Sequence, residues 1–262
     1  MTFIEELILA IIQALLEWLP VSSEGFLILI SILFFNGSAE EAFRMAIYFH
    51  LGTAISVLIK YRGMYLNAIL RDFSLLRLLI LATFATGVTA VPLYFFLKNS
   101  FLLIDGMIVT LIIGIALLIT GTLLKLGRLF QTNRYSINNR KIIDEIGLGI
   151  FQGFAILPGI SRSGTTVTYL LLRGYNKKDA FTISFLISLP AVVAAIAFDI
   201  LFEEVSFVIS MEYLILTGIV AVIGYLMMSF LLHLAEVLSF DKICYILGFI
   251  AILLTFSFML FF

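Results

Sequence analysis

The chain has 262 residues, of which 62% are hydrophobic and 13% charged, and its formal net charge is −1. Soluble domains carry about 45–50% apolar and about 25% charged residues, so a mean hydropathy of +1.17 excludes an ordinary soluble core. The near-zero charge gives no footprint for nucleic acid, and the single cysteine, Cys244, excludes an intrachain disulfide.

The N-terminus reads Met-Thr-Phe-Ile-Glu-Glu, without the basic stretch that opens a cleavable signal peptide. Residues 4–35 follow, apolar but broken in the middle by Pro20, Ser22, Ser23 and Gly25. Spans are expected at 43–60, 77–97 and 104–125, each near the roughly 20 apolar residues that cross a bilayer core. A second broken stretch covers 142–172, interrupted by Pro158, Gly159, Ser161, Ser163 and Gly164. Three more spans are expected at 180–200, 212–234 and 243–262. Irregular backbone at membrane depth survives only inside protein or beside water. Both broken stretches therefore read as re-entrant helical hairpins. The expected fold is an all-α polytopic membrane protein, with six transmembrane helices plus two re-entrant helical hairpins.

The order hairpin, three spans, hairpin, three spans implies duplication within one domain, 1–262. Repeat 1 covers about 1–125 and repeat 2 about 142–262. Gln13 aligns with Gln152, Ser22 with Ser161, Gly25 with Gly164 and Glu6 with Glu145 at an offset of 139. Ala42-Phe43 aligns with Ala180-Phe181 at an offset of 138. An odd number of crossings per repeat makes it an inverted repeat, as in many transporters. Thirteen basic residues fall on one side, from Lys60 and Arg62 through Arg134, Arg140 and Lys141 to Lys242. Arg44 and Lys98 fall on the other. By the positive-inside rule the first side is cytoplasmic and both termini face outside. The acidic run Asp199, Glu203, Glu204 and Glu212 is then a solvated outer loop.

Intramembrane ionisable groups are costly and point to function. In the first hairpin Gln13 and Glu17 are four residues apart and share a helix face, with Glu6 near it. Glu17 lies at membrane depth and Glu24 in the turn; hydrogen-bonded glue between helices is the competing reading. In the second hairpin Ser161, Arg162, Ser163, Gly164, Thr165 and Thr166 open a half-helix. Glycines, hydroxyls, free N–H groups and the helix dipole suit an anion there, and the Arg162 fork suits phosphate. Carboxylates can hold Mg²⁺ or Ca²⁺ through oxygen. Together these residues fit an anionic lipid head group whose tail stays in the bilayer. His50 either faces the site or is a hydrogen-bonded structural histidine, and His233 is expected to be structural. No paired His/Cys zinc set and no P-loop or Rossmann pattern is present.

Gln13-x-x-x-Glu17-Trp-Leu-Pro-Val-Ser-Ser-x-Gly and Pro158-Gly159-x-Ser161-Arg162-Ser163-Gly164 resemble the two signatures of the undecaprenyl-diphosphate phosphatase, or bacitracin-resistance, family. The likeness covers essentially the whole chain. It implies hydrolysis of a polyprenyl diphosphate to the monophosphate in the plasma membrane, at a site open to the outer face. It also implies roles: Gln13 and Glu17 match the family's acidic or amide pair for metal and catalysis, and Ser161, Arg162 and Thr166 match residues that grip the diphosphate. From the residues themselves, Glu24 joins Glu17, Ser23 and Arg162 as a catalytic candidate, and joins Glu17 as a carboxylate for Mg²⁺ or Ca²⁺. Gln13, Ser22, Ser161, Ser163, Gly164, Thr165 and Thr166 would grip the substrate, with Ser23 the family's proposed nucleophile. One departure stands out. The family continues Ser-Ser-x-Gly-His, whereas Phe26 stands at the histidine position, leaving Glu24 as a carboxylate base or as a solvated turn residue. A flippase for polyprenyl phosphate and a non-catalytic lipid-diphosphate binder remain alternatives. Small residues in the spans leave room for helix packing or a homodimer.

Overall fold

The computed structural model describes residues 1–101, 106–130, 132, 135–157, 159–202, 210–234 and 240–261. Pro158, Arg134, Glu203 and Glu204 lie outside these residues, as do the side chains of Arg44, Lys98, Asp199 and His233.

The first apolar stretch forms two short helices, α1 (Phe3–Leu16, 14 residues) and α2 (Ser23–Phe35, 13 residues). At 1.5 Å per residue each is about 20 Å long, short of a bilayer core of about 30 Å. Thr2 and Glu5 close a capping box on α1, satisfying its first N–H groups. α2 starts where Ser22 Oγ accepts from Gly25 N at 3.2 Å and stops at Asn36 in the left-handed region, φ 50°. Then come α3 (Ala39–Leu70), α4 (Phe73–Phe101) and α5 (Gly106–Leu129). The second broken stretch repeats the short pair: α6 (Ile142–Gly153, 12 residues), a 3-10 turn (Phe154–Ile156) and α7 (Arg162–Leu172, 11 residues). α8 (Lys177–Phe202), α9 (Met211–Leu234) and α10 (Phe240–Phe261) complete the chain.

Among the described residues, four segments are long and apolar enough to cross a membrane: Phe73–Leu97, Thr110–Leu129, Lys177–Phe202 and Met211–Phe230. They lie in α4, α5, α8 and α9, over the spans expected at 77–97, 104–125, 180–200 and 212–234. α3 contains the stretch expected at 43–60, and α10 covers 243–261 of the last one, Phe262 lying outside the described residues. α3 continues ten residues past the expected end at Lys60, with a non-helical step at Tyr61 (φ −110°, ψ 19°).

The burial pattern inverts that of a soluble protein. Phe73, Ile80, Phe84 and Val88 form an exposed apolar stripe along α4, each more than half accessible. Gln13, Glu17, Ser23, Ser161, Thr166 and Ser184 are buried instead. Trp18, Tyr175, Phe49 and Phe185 are the bulkiest fully buried side chains among the described residues, Trp18 meeting Phe185 edge-on at 5.3 Å. The short helices are wrapped by long ones: α1 packs on α9 and α6 on α4, while α2 packs on α3 and α7 on α8. α3 also packs on α9, α4 on α8, and α5 on α10. The last pair needs small residues: a methyl on Gly248 would lie 2.8 Å from the Gly114 carbonyl oxygen.

One end of α6 is tied down by charge. Buried Glu145 accepts from Arg77 Nε at 2.9 Å and Arg77 NH2 at 3.1 Å, with Arg140 Nε at 3.7 Å. Buried Asp144 accepts from Arg173 Nε at 2.6 Å and Tyr175 OH at 3.0 Å. Burial, with Asp144 alongside, pushes the Tyr175 phenol upward, so it remains a donor. Glu145→Ala would leave the buried Arg140 side chain (4% exposed) without its carboxylate. Breaking such a pair costs about 3–5 kcal/mol. Thermal unfolding in detergent should show a large drop in Tm for this variant and little change for Glu6→Ala, whose carboxylate is only half-buried.

Candidate active site

Glu17 closes the C-terminal end of α1, and Arg162 opens α7, 145 residues away. Arg162 NH2 donates to Glu17 Oε1 at 2.6 Å, so the polar tips of the two short-helix pairs meet through one ion pair. Arg162 NH1 donates to the Ser184 carbonyl of α8 at 3.2 Å, which aims the guanidinium. The other carboxylate oxygen of Glu17 receives two donors at 2.8 Å, Gln13 Nε2 and Ser23 Oγ. Glu17 is 6% exposed, so this pair is desolvated and its geometry is held by several partners at once.

The local sequence explains the aim. Ser22-Ser23-Glu24-Gly25 and Ser161-Arg162-Ser163-Gly164 build the same start of a helix. The first serine caps: Ser161 Oγ accepts from Gly164 N at 3.0 Å as Ser22 Oγ does from Gly25 N. The next residue is then the first helical position, Ser23 in α2 and Arg162 in α7, and both reach Glu17. Two helix N-termini thus face one polar centre, where their dipoles favour an anion.

The remaining expected ligands divide by what they touch. Ser163 Oγ lies 3.2 Å from Ser161 Oγ and donates to the Leu19 carbonyl at 2.7 Å, which locks α7 onto the turn after α1. Thr165 Oγ1 bonds back to the Ser161 and Arg162 carbonyls at 3.1 and 3.0 Å. Thr166 Oγ1 donates to the Arg162 carbonyl at 2.7 Å and pairs with Ser184 Oγ at 2.7 Å. Ser22, Ser161, Ser163, Thr165 and Thr166 therefore shape the turn, while Gln13, Glu17, Ser23 and Arg162 form the connected centre. Glu24 and Gln13 each hold one buried side-chain oxygen, Oε1, with no hydrogen-bond partner among the described residues. That atom of Glu24 is not the solvated carboxylate of a surface turn.

The backbone of the second tip is constrained at Gly159, with φ +90°. A β-carbon there would lie 2.7 Å from Ala116 Cβ and 2.8 Å from Ile113 Cα of α5. Gly159→Ala should cost about 2–4 kcal/mol from the left-handed backbone and the overlap together. Gly87→Ala, where no atom lies within 4 Å, should be neutral or stabilising, and melting curves of the two variants check the contrast.

Two contributors carry no motif. His50 of α3 has Nδ1 3.2 Å from Gln13 Nε2 and 3.4 Å from Glu17 Oε2, which places it at the centre rather than in a distant structural bond. Ser184 of α8 orients Arg162; a serine inside an apolar span was its only signal. Phe26 is half-buried and packs against the apolar clusters containing Trp18 and Ile113. Among the described residues no three His, Cys, Asp or Glu gather closely enough to hold a metal by themselves.

Comparison with known proteins gives a consistent picture. The family described as bacitracin resistance protein BacA matches residues 6–253. An undecaprenyl-diphosphatase of Methanothrix thermoacetophila is 37% identical, covering 97% of this chain and 98% of its own length. The undecaprenyl-diphosphatase of Haloarcula marismortui is 32% identical (92% and 93% covered), and that of Methanopyrus kandleri 33% (93% and 92%).

Proposed function

This chain belongs to the bacitracin resistance protein BacA family, and on that premise we propose that it is a membrane phosphohydrolase converting undecaprenyl-type diphosphate to the monophosphate and phosphate. The observation that carries the reading is the 2.6 Å Arg162–Glu17 pair, with Ser23 on the same carboxylate. It gathers a phosphate-binding fork, a carboxylate and a hydroxyl at one buried point, between two helix N-termini.

The chemistry follows from these positions. Arg162 and the N–H groups opening α2 and α7 hold the diphosphate oxygens. Ser23 Oγ attacks the terminal phosphorus, and its proton passes to Glu17, to which it is already hydrogen-bonded. The bond from that phosphorus to the bridging oxygen breaks, and the polyprenyl monophosphate leaves. Glu24 then takes a proton from the water that attacks the phosphoserine phosphorus; the bond from phosphorus to Ser23 Oγ breaks as Glu17 returns its proton to that oxygen, releasing phosphate and restoring Ser23. The residues fit an oxygen-seeking divalent cation: Glu24 and Gln13 each carry an orphaned buried oxygen, and Glu17 has three donors for its roughly four lone-pair positions. Glu17 and Glu24 would hold Mg²⁺ or Ca²⁺, the substrate phosphates supplying further oxygens as is usual for Mg²⁺. Such a cation, when bound, offsets the negative charge of the diphosphate.

We place this centre at the meeting point of two re-entrant hairpins in a six-span inverted repeat. The packing supports the repeat: α1 on α9 is matched by α6 on α4, and α2 on α3 by α7 on α8. The half-helix starts support it too, since Ser23 and Arg162 are equivalent positions that converge on Glu17. Sidedness rests on the basic residues, several of which, Arg77, Arg140 and Arg173, gather around Asp144 and Glu145. That end is cytoplasmic, and the active site and both termini face outward.

The test is phosphate release from a C55 polyprenyl diphosphate by the purified protein in detergent. Release is expected with Mg²⁺ or Ca²⁺ and should fall at least about 100-fold with chelator, the scale of losing a charge-stabilising ligand. Retained binding of the lipid without any release would sink the hydrolase reading and favour a binder or flippase.

A further inference from the structure

His50 is one of two histidines in the chain, and it sits on the helix that flanks both α1 and α2. Its side chain is about a quarter exposed (25%), beside a Glu17 that is almost fully enclosed. The hydrogen bonds around it bear on which ring nitrogen carries the proton. Glu17 is salt-bridged to Arg162, and an ionised carboxylate only accepts. The Gln13 atom 2.8 Å from Glu17 Oε2 is therefore the amide nitrogen, not the oxygen, which removes the usual ambiguity of amide orientation. The same NH₂ group has a second hydrogen, and His50 Nδ1 lies 3.2 Å from that nitrogen. With Nδ1 accepting that hydrogen, the ring proton is on Nε2. Nε2 makes no hydrogen bond to any described residue. The ring that carries it is a quarter exposed, with Nδ1 beside Gln13 and Glu17 of the connected centre.

We propose that His50 is a catalytic residue of this enzyme: a neutral imidazole whose Nε2–H donates to a phosphate oxygen of the polyprenyl diphosphate while Gln13 holds Nδ1. The assignment rests on the hydrolase reading above. His50 works as a fixed donor and transfers no proton, because giving up its Nε2 proton would leave an imidazolate beside a carboxylate. Gln13 is accordingly a positioning residue, tying the ring to Glu17 through one amide. An imidazole thus reaches the centre from α3, although Phe26 occupies the position after Gly25 in the first signature.

Two substitutions separate this role from a structural one. His50→Asn keeps an acceptor at the position of Nδ1, so it preserves the bond to Gln13 but removes the outer donor. His50→Gln carries its amide one bond further and restores a donor near Nε2. Phosphate release from a C55 diphosphate, lipid binding and thermal unfolding are measured for both. Removing a charge-stabilising donor costs about 10²–10³ in kcat, so His50→Asn should lose that much with lipid binding and Tm near wild type. His50→Gln should recover to within about tenfold. A merely structural histidine gives the opposite order, with Asn as active as wild type, or a loss of kcat that tracks a loss of Tm in both variants. Either result would overturn the assignment. Wild type without release removes the hydrolase reading and this role with it; active wild type with an equally active Asn variant removes this role alone.

Discussion

Arg162→Lys is expected to lower kcat for phosphate release by about 10³-fold or more while leaving a folded protein. Lysine keeps the charge but presents a point ammonium in place of a planar fork. Arg162 uses one terminal nitrogen on Glu17 and the other on the Ser184 carbonyl, at 2.6 and 3.2 Å. A lysine cannot satisfy both and still face phosphate. Charge-stabilising arginines in phosphoryl transfer contribute about 10³–10⁵ in rate, so even the lower end is easily read in a release assay. A lysine variant within about tenfold of wild type would show that the guanidinium geometry is irrelevant, and the phosphate-clamp role would be lost.

Glu17→Gln should produce the second large effect, and it should appear in stability as well as rate. Arg162 has 17% of its side chain exposed, and Glu17 is its only carboxylate partner among the described residues. Neutralising Glu17 leaves a largely buried guanidinium unpaired, which costs about 3–5 kcal/mol. The amide is also unable to take the Ser23 proton, so phosphate release should fall by about 10²–10⁴-fold, the scale of losing a general base. Adding Arg162→Met to Glu17→Gln should return much of the lost Tm, because removing both charges eliminates the unpaired one. It should return none of the activity. A Glu17→Gln variant with wild-type Tm would contradict the buried-pair account.

Much of the architecture was legible because membrane segments obey a length rule. Four expected spans lie over four helices long and apolar enough to cross, and the breaks around Pro20 and around Gly159 to Gly164 mark where the short helices end and restart. The limits of that rule are visible at α3. Its expected end at Lys60 follows from charge, which marks the edge of a hydrocarbon layer, whereas the helix runs on to Leu70 because backbone hydrogen bonding does not require lipid.

The candidate site was legible in residue type more than in role. Ser22 and Ser161 read as substrate ligands from their residue type, and the structure adds a second use that this type does not distinguish: their oxygens cap α2 and α7. The meeting of Glu17 with Arg162 spans 145 positions, and no local periodicity encodes it. His50 and Ser184 were least legible, since each is a single polar residue in an apolar helix. Only the packing of α3 and α8 around the short helices decides whether such a residue faces the centre.

The central claim is that the two tips form one site in which Glu17 and Arg162 act as a unit, and a double-mutant cycle on kcat tests it most directly. Phosphate release from a C55 diphosphate would be measured for wild type, Glu17→Gln, Arg162→Lys and the double variant. Groups that act as a unit are strongly non-additive, so the double variant should be no slower than about tenfold below the slower single variant. Losses that multiply, with a coupling within about 0.5 kcal/mol of zero, would mean that the two residues serve independent sites.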